Sequence, residues 1–277
     1  FDPAGLLNPG KIVDTGRWRI DRDLRLGEAP SLELPLAPLY GYVDKDRSFV
    51  GNLEQCNGNG ACLKAAPTMC PTFRATGDEL ESTRGRANAI RAALAGAFGG
   101  DPVAGLASPE LAAALDDCLS CKACKSECPS TVDLTLLKAD LLWARHRVRG
   151  PSLLDRVVAS ADLLGRLGSA TAPLANRLLR LRPLRLALER LLGLNAERPL
   201  PTYCRPRFDH WFARREPRPA GRGRVLLWDD TWVRYHEAGI GRAAVAVLEA
   251  LGFEVRLVEG RVCCGRPAAS RGLLDRV

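Results

Sequence analysis

The sequence predicts a mainly α-helical protein with a small α/β part at its C-terminal end. Apolar residues recur at helical spacing from Asp78 to about Ala97 and again between Thr131 and Leu194. Beyond residue 223 the pattern predicts a short buried strand at 224–228, an amphipathic helix at Ile240–Leu251 and a second strand at Phe253–Val258. This strand–helix–strand order marks a small α/β domain.

Proline, glycine and serine positions set the limits of the predicted elements. Residues 1–50 are rich in Pro and Gly and lack a helical period, which predicts an extended tail with short strands. Ser108 followed by Pro109 predicts the start of a helix, with Ser108 as its cap. The leucine-rich helical stretch that follows residue 150 should break near Pro173 and Pro183.

Composition excludes several classes of protein. The 277 residues are 46% hydrophobic and 26% charged, which excludes a wholly disordered chain. No apolar stretch approaches the roughly 18 to 20 residues that cross a bilayer, so we expect no transmembrane segment. No signal peptide is expected either, because no charged-then-apolar leader precedes the first turn signals. A chain that opens at Phe1 and stops within a helix start at 272–277 is interpreted as an excerpt of a longer protein.

The positive charge is concentrated in one block. The net charge is +8, yet the segment Arg145–Arg224 holds 18 arginines and 6 acidic residues. The arginines alternate with leucines, as in Leu178–Arg182, which favours amphipathic helices with a solvated basic face, followed by a Pro/Arg-rich linker at 195–223. No nucleic-acid-reading motif accompanies the charge, so nucleic acid is not an expected partner.

The strongest motif is Cys118-Leu-Ser-Cys121-Lys-Ala-Cys124-Lys-Ser-Glu-Cys128-Pro129. Its spacing matches the C-x2-C-x2-C-x3-C-P run that holds [4Fe–4S] clusters in bacterial ferredoxins. Three thiolates at intervals of three fold around one cluster, whereas the fourth ligates a second cluster when one is present. Zinc sites usually use two separated C-x2-C pairs, so this run predicts iron and sulfide.

A second cysteine group precedes this motif. Cys56 and Cys62 fit the first and third positions, Asn59 stands where the second cysteine would be, and Cys70 before a proline fits the fourth position. By the two-cluster rule, Cys70 completes the site of Cys118, Cys121 and Cys124, and Cys128 joins Cys56 and Cys62. The resulting three-thiolate site fits a [3Fe–4S] centre, a [4Fe–4S] centre with a non-Cys ligand, or no cluster.

The third group is Cys263-Cys264-Gly265, which lies just after a predicted strand. A disulfide between adjacent cysteines closes a strained ring, so the pair predicts a metal or cluster site, with two buried thiols in a turn as the alternative. Cys204 is expected to be structural. The scattered His146, His210 and His236 share no ligand spacing and predict ordinary surface or cap roles.

Three stretches, in this order, resemble bacterial proteins that fuse an FAD-linked oxidase domain to a C-terminal iron–sulfur region. Phe1–Ile12 resembles the last segment of an FAD-linked oxidase of the vanillyl-alcohol oxidase type, and Cys70–Asn88 resembles the stretch between the cysteine groups of the family. Trp228–Gly265 is similar to the cysteine-rich CCG domain shared with heterodisulfide reductase and the iron–sulfur subunits of glycolate oxidase. The resemblance implies that Asn8 lies near the flavin.

The resemblance also implies an organisation in four parts. Residues 1–50 would be the C-terminal tail of the FAD-linked oxidase domain plus a connector. Residues 51–150 would form a ferredoxin-type, α-helical 4Fe–4S domain. Residues 151–223 would hold the Leu/Arg-rich helices and the linker, and residues 224–277 would begin a truncated α/β CCG domain.

The function implied by this resemblance is a flavoprotein oxidoreductase acting on CH–OH groups, a D-2-hydroxyacid dehydrogenase of the D-lactate, D-2-hydroxyglutarate or glycolate type. FAD would take a hydride from the substrate, and the clusters would pass electrons singly to an acceptor. The catalytic residues would lie in the flavin domain, so this chain alone is not expected to oxidise a hydroxyacid.

Two other functions remain open. The chain is alternatively a separate iron–sulfur subunit of a glycolate oxidase-like complex, although the oxidase-like tail at Phe1–Ile12 favours fusion. A zinc-stabilised nucleic-acid-binding module is the alternative from another class. Within the leading hypothesis the partners are the flavin domain of the same chain and a one-electron or quinone acceptor. Ten unbridged thiols predict a cytoplasmic location, with peripheral contact to the inner face of the membrane through the Leu/Arg helices left open.

Overall fold

The computed structural model divides the chain into two compact units, Phe1–Arg145 and His146–Val277. It describes residues 3–4, 6, 32–44, 47–64, 69–218 and 221–277. Within this described part, no helix is both long and apolar enough to span a bilayer. The structure is mainly helical with one small parallel sheet, which confirms the predicted fold class at that level.

The N-terminal unit is built from helices. Residues 32–44 contain no strand, so the strands predicted for the tail are absent from its described part. Two short 3₁₀ turns, at Ala61–Leu63 and Glu79–Glu81, lie between helices. The helices are α1 (Phe49–Glu54), α2 (Pro71–Thr76), α3 (Thr83–Leu94), α4 (Pro102–Leu106), α5 (Pro109–Asp116), α6 (Ala123–Glu127) and α7 (Leu134–Arg149), and the boundary between the units falls within α7.

Side-chain caps explain where these helices begin. The predicted helix from Asp78 starts as the 3₁₀ turn and continues as α3, whose first turn is capped by the Ser82 side chain accepting from the Gly85 amide. The predicted start at Ser108 is confirmed, because Ser108 caps α5 and Pro109 occupies its first turn. The cysteine group that begins at Cys118 follows directly after α5.

The core of the N-terminal unit holds the cysteine loops in place. Fully buried apolar side chains such as Leu53, Ile90 and Leu137 join α1, α3 and α7 in one cluster. The Asn52 side chain bridges to the backbone of Asp133, accepting from its amide at 2.9 Å and donating to its carbonyl at 2.9 Å. This buried polar pair ties α1 to the segment between Cys128 and α7.

The C-terminal unit contains the α/β part. Its sheet is the parallel pair β1 (Arg224–Leu227) and β2 (Glu254–Leu257), in register from Arg224 opposite Glu254 to Leu227 opposite Leu257. The intervening chain forms two of the helices of this unit. They are α8 (Leu153–Ala159), α9 (Ala161–Ala170), α10 (Ala172–Leu178), α11 (Arg182–Leu192), α12 (Phe208–Arg214), α13 (Thr231–Tyr235), α14 (Ala238–Ala250) and α15 (Arg266–Ser270), with a final 3₁₀ turn at Leu274–Arg276.

Three predictions for this unit can be compared with its structure. The helix breaks near Pro173 and Pro183 are confirmed, since these prolines lie in the first turns of α10 and α11. The predicted linker at 195–223 contains α12, which was missed because this helix is short and its buried Phe208 packs against distant residues. The strand β1 alternates between exposed and half-buried positions, so the expectation of a buried strand was wrong.

Candidate metal centres

Seven cysteines line two cavities in the N-terminal unit. The four-cysteine cavity is lined by Cys70, Cys118, Cys121 and Cys124 and has a volume of about 330 Å³, including space open to solvent. The three-cysteine cavity is lined by Cys56, Cys62 and Cys128 and measures about 300 Å³ on the same basis. All ten cysteines of the chain are free thiols.

This arrangement has the grouping that the sequence predicts. Cys70 follows the first cysteine group in sequence but lines the cavity of the second, and Cys128 follows the second group but lines the cavity of the first. Such an exchange of the fourth cysteine is typical of two-cluster ferredoxins. Ligation of iron by these thiols stays a prediction.

The two cysteine loops share a backbone pattern. Ser120 and Lys122 have φ values of 51° and 65°, and Gly58 and Gly60 have φ values of 76° and 73°. Each glycine lies 62 residues before its counterpart. Glycine adopts this left-handed region freely, whereas Ser and Lys are strained there. The two loops therefore turn in the same way, and strain is retained at the loop that carries three cysteines.

Asn59 occupies the position in the first loop that Cys121 occupies in the second. Both residues are exposed. The Asn59 side-chain oxygen accepts a hydrogen bond from the amide of Ala61 at 3.2 Å, and the Asn59 amide donates to the side-chain oxygen of Asn57 at 3.1 Å. These two hydrogen bonds stabilise the turn of the first loop, which has no cysteine at position 59.

The thiols of the four-cysteine cavity differ in their surroundings. Burial raises the pKa of Cys124 to about 12, an effect that the amide of Leu134 reduces and the negative charge of Asp133 increases. Cys121 is exposed at the cavity edge. The Lys138 ammonium donates to the carbonyl oxygen of Cys118 at 2.7 Å and fixes the start of the loop. Because metal ligands must be deprotonated, binding of iron at this site would release the proton of Cys124.

A single buried residue lies at both cavities. Thr83, which is 4% exposed, lines the four-cysteine cavity and also the three-cysteine cavity. It is the first residue of α3. Val132 lines the three-cysteine cavity and Leu134 the four-cysteine cavity. Buried side chains, with Thr83 among them, thus separate the two groups of thiols.

The residues present fit iron–sulfur clusters. Soft thiolate donors select iron–sulfur clusters, zinc or Cu(I), and three cysteines at intervals of three, with a fourth from a distant segment, are the iron–sulfur pattern. Among the residues that the structure describes, no three Cys, His, Asp or Glu side chains converge so as to hold a single metal ion. In an iron–sulfur cluster each thiolate binds a different iron, so the thiols of one cavity need not converge on one point. Cys70, Cys118, Cys121 and Cys124 would hold one cluster, and Cys56, Cys62 and Cys128 the other.

The remaining predicted site residues lie elsewhere. In the C-terminal unit, Cys263 is half-buried with its sulfur 3.7 Å from the Thr231 hydroxyl, and Cys264 is exposed. Cys204 is half-buried, and burial raises the pKa of its thiol. The ring nitrogen Nε2 of His146 lies 2.8 Å from the carbonyl oxygen of Arg271, a structural contact. Asn8 lies outside the described residues.

Sequence reasoning missed Thr83 and Arg86. Both lie in the first turn of α3, and Arg86 is 1% exposed with its guanidinium beside Cys70. One signal was available, because Arg86 lies four residues before Ile90 and therefore on the apolar side of the predicted helix. An arginine in that position is either paired inside the core or serves a site.

Comparison with known proteins finds a similarity to an iron–sulfur domain. Residues 52–132 match the 4Fe–4S dicluster domain family. This match confirms the predicted iron–sulfur character of the segment that contains all seven cavity cysteines. No solved structure matches the chain.

Several curated relatives are dehydrogenases. The chain is 30% identical over 134 residues to a subunit of the anaerobic glycerol-3-phosphate dehydrogenase of Escherichia coli K12, covering 48% of this chain and 34% of the relative. It is 28% identical over 324 residues to D-2-hydroxyglutarate dehydrogenase of Pseudomonas putida, covering 99% of this chain and 31% of the relative. Lactate utilization protein A of Bacillus thuringiensis is 43% identical over 52 residues, 19% of this chain and 22% of the relative. The chain thus spans about a third of the length of the two dehydrogenases.

Proposed function

We propose that this chain is the iron–sulfur electron-transfer portion of an FAD-dependent D-2-hydroxyacid dehydrogenase of the D-lactate, D-2-hydroxyglutarate or glycolate type. The observation that carries the proposal is the pair of thiol-lined cavities that share Thr83. Iron–sulfur clusters bound there supply one-electron transfer. Two such sites on either side of one buried residue form a relay for single electrons.

The residues of the chain have distinct parts in this relay. The thiolates of the two cavities hold iron, and the exchange of Cys70 and Cys128 between the loops ties the two sites to one another. Thr83 and the Val132–Leu134 segment keep the space between the sites free of bulk water, since Thr83 and Val132 are 4% and 1% exposed. A buried boundary between the sites favours electron transfer from one to the other over loss to solvent oxidants.

The three-cysteine site is proposed to hold a [3Fe–4S] centre. Three thiolates complete three iron corners, and the Asn59 oxygen is engaged with the Ala61 amide rather than free to bind a fourth iron. A [4Fe–4S] centre with a non-Cys ligand and a site without a cluster are the other outcomes of iron analysis.

Support for the substrate class comes from how much of the chain each relative covers. The match to a D-2-hydroxyglutarate dehydrogenase extends over 99% of this chain, which includes the segment before the cysteine groups. In this proposal the flavin domain belongs to the same protein, and the acceptor is a one-electron carrier or a quinone. The protein would be cytoplasmic, with peripheral membrane contact through its Leu/Arg helices.

A separate iron–sulfur subunit is the second candidate. The observation that favours it is the 30% identity to a relative whose name describes a subunit of a glycerol-3-phosphate dehydrogenase. In that case the flavin would reside on another chain, whereas the relay through Thr83 would be the same. Purification of the native protein distinguishes the two, because flavin on the same polypeptide as iron excludes a separate subunit.

The cysteine pair Cys263-Cys264 is proposed to contribute ligands to a further metal site. Its two thiols differ in exposure, and the Thr231 hydroxyl lies beside one of them. A metal content beyond that of the seven cavity cysteines in the longer protein would support this assignment.

The proposal is tested by iron and acid-labile sulfide analysis after anaerobic purification, with EPR spectra before and after dithionite. We expect about seven irons per chain, an EPR signal in the oxidised sample from the three-cysteine site, and a second signal on reduction. About four irons, with a signal only after reduction, would leave the three-cysteine site without a cluster. Stoichiometric zinc without sulfide would overturn the electron-transfer function and favour a zinc-stabilised module.

A further inference from the structure

We propose that Arg86 tunes the four-cysteine site: its guanidinium donates a hydrogen bond to the Cys70 sulfur and raises the reduction potential of a cluster bound there. The inference rests on the proposed function, because it takes Cys70 as an iron ligand. Nη1 of Arg86 lies 3.4 Å from Sγ of Cys70. Arg86 lines the same cavity and is 1% exposed, so its guanidinium is shielded from bulk solvent.

The guanidinium of Arg86 is fixed by the fold. Its Nε donates to the carbonyl oxygen of Ala114 in α5 at 2.7 Å. Its Nη2 pairs with the carboxylate of Glu81, and its Nη1 also reaches the Glu81 carbonyl oxygen and the Thr72 hydroxyl, the latter at 3.1 Å. An arginine anchored at every nitrogen holds one orientation, and that orientation places Nη1 against the Cys70 sulfur.

The chemistry of Cys70 changes when it binds iron. As a thiol, Cys70 donates to the Glu81 carbonyl oxygen at 3.1 Å and lies 3.2 Å from the Thr72 hydroxyl. An iron-bound thiolate has no proton to donate, so its sulfur becomes an acceptor only. Arg86 and Thr72 are then the side chains that can donate to it.

A hydrogen bond to a ligand sulfur withdraws electron density from the cluster and favours the reduced state, which carries one more negative charge. Glu81 offsets most of the net positive charge of Arg86, since the two groups form a buried pair. The direct N–H···S contact is therefore the larger part of the effect.

Arg84, two residues earlier in α3, provides an internal comparison. It lines the three-cysteine cavity, but its Nη1 donates to the carbonyl oxygen of Gly58 at 3.4 Å and its Nη2 pairs with Glu79 at 2.6 Å. Its contacts are to oxygen atoms rather than to a cysteine sulfur. The two arginines thus act differently on the two sites, and Arg86 raises the potential of the four-cysteine site selectively.

The test is an EPR-monitored redox titration of the anaerobically purified protein, comparing wild type with Arg86→Gln/Glu81→Gln. This double variant removes the donor and its counter-charge together. We expect the ratio of reduced to oxidised four-cysteine cluster at a fixed ambient potential to fall about tenfold, a downward shift of about 59 mV for a one-electron couple. Arg91→Gln is the matched control, because Arg91 is a buried arginine of the same helix that pairs with Glu54 and contacts no sulfur of the four-cysteine site.

Arg86→Lys is the second variant and retains the charge. A single ammonium cannot bond to both Ala114 and Cys70 as a guanidinium does, so we expect the reduction potential to fall by less than in the double variant. This variant carries the test if the double variant fails to assemble a cluster. An unchanged potential in an iron-replete variant would overturn the inference, and so would an equal shift of this cluster in Arg91→Gln. Failure of the proposed function would look different, because the wild type would then lack iron and sulfide.

Discussion

Gly85 allows the carbonyl oxygen of Glu79 to approach α3 more closely than any side chain would permit. A Cβ at position 85 would lie 2.0 Å from that oxygen and 2.8 Å from the α-carbon of Leu80. The 3₁₀ turn Glu79–Glu81 therefore packs against the first turn of α3 over a bare glycine. This close approach is what brings Glu81 and Arg86 to the sulfur of Cys70.

Gly85→Ala should disrupt the four-cysteine site by displacing the 3₁₀ turn Glu79–Glu81 from α3. Overpacking against backbone atoms has no flexible side chain to relieve it, so we expect a loss of stability of about 3 kcal/mol or more and a lower iron content. Thermal unfolding and iron analysis measure both. Gly239→Ala in α14 is the control, because no atom lies within 4 Å of its Cβ position, and it should instead stabilise the protein by up to about 1 kcal/mol. Equal stability of Gly85→Ala and wild type would show that the turn is not held as described.

Because each loop contributes a cysteine to the cavity of the other, replacing that cysteine should remove the EPR signal of the other loop's site. Cys70→Ser should remove the EPR signal of the four-cysteine site, although Cys70 belongs by sequence to the first cysteine group. Cys128→Ser should remove the signal of the three-cysteine site, although it follows Cys124 by four residues. Each variant keeps the other signal, because the remaining thiols of that cavity are intact.

Cys204→Ser serves as a control for these variants and should leave both signals, since Cys204 lies in the C-terminal unit. Unchanged iron and sulfide in Cys128→Ser would contradict the two-site assignment. A pattern in which Cys70→Ser affects only the three-cysteine site would mean that the fourth cysteine is not exchanged.

Asn59→Cys should convert the three-cysteine site into a four-thiolate site. The loop already has the backbone pattern of the Cys121 loop, so a thiol at position 59 has the same local conformation available to it. We expect about one additional iron per chain and loss of the EPR signal from the oxidised protein, since a three-iron centre would become a four-iron centre. Asn59→Ala, which removes the amide without adding a ligand, should leave the iron content at the wild-type value. No gain of iron in Asn59→Cys would count against the equivalence of the two loops.

Much of the N-terminal unit could be predicted because its signals are local. The cysteine spacing is the one that clusters require in ferredoxins, and Ser108 with Pro109 determines the start of α5 through neighbouring atoms. The pairing of Cys70 with a distant loop was predictable for the same reason, because the two-cluster pattern links the loops.

The features that sequence reasoning missed depend on contacts between distant segments. Thr83 lines both cavities only because the folded chain places the start of α3 beside both cysteine loops. Arg86 reaches Ala114 across 28 positions of sequence, and no periodicity encodes that bond. Helix α12 likewise depends on Phe208 packing against Val245 and Val255. Tertiary packing, rather than local propensity, decides each of these features.

Asp155 predicts how the stability of the C-terminal unit depends on pH. Burial alone would raise the pKa of this carboxyl, but hydrogen bonds from Ser152 and the charge of Arg271, whose Nη2 lies 2.5 Å away, outweigh burial and hold the pKa below its ordinary value. A depressed folded-state pKa means that the carboxylate stabilises the fold above the unfolded-state pKa of about 4. That contribution is lost as the pH falls through the lower, folded-state pKa.

Asp155→Asn should therefore lower the free energy of unfolding by about 1 to 2 kcal/mol at neutral pH and flatten its decline between about pH 5 and pH 3. Urea unfolding across this range measures both effects. Glu259→Gln is the matched control, since Glu259 is exposed and its replacement should change stability by less than about 0.5 kcal/mol. A parallel decline in wild type and Asp155→Asn would show that other carboxylates set the acid sensitivity. The reciprocal hydrogen bonds of Ser152 and Asp155, which cap α8, and the Asp155–Arg271 pair would then contribute to packing without contributing to the pH dependence.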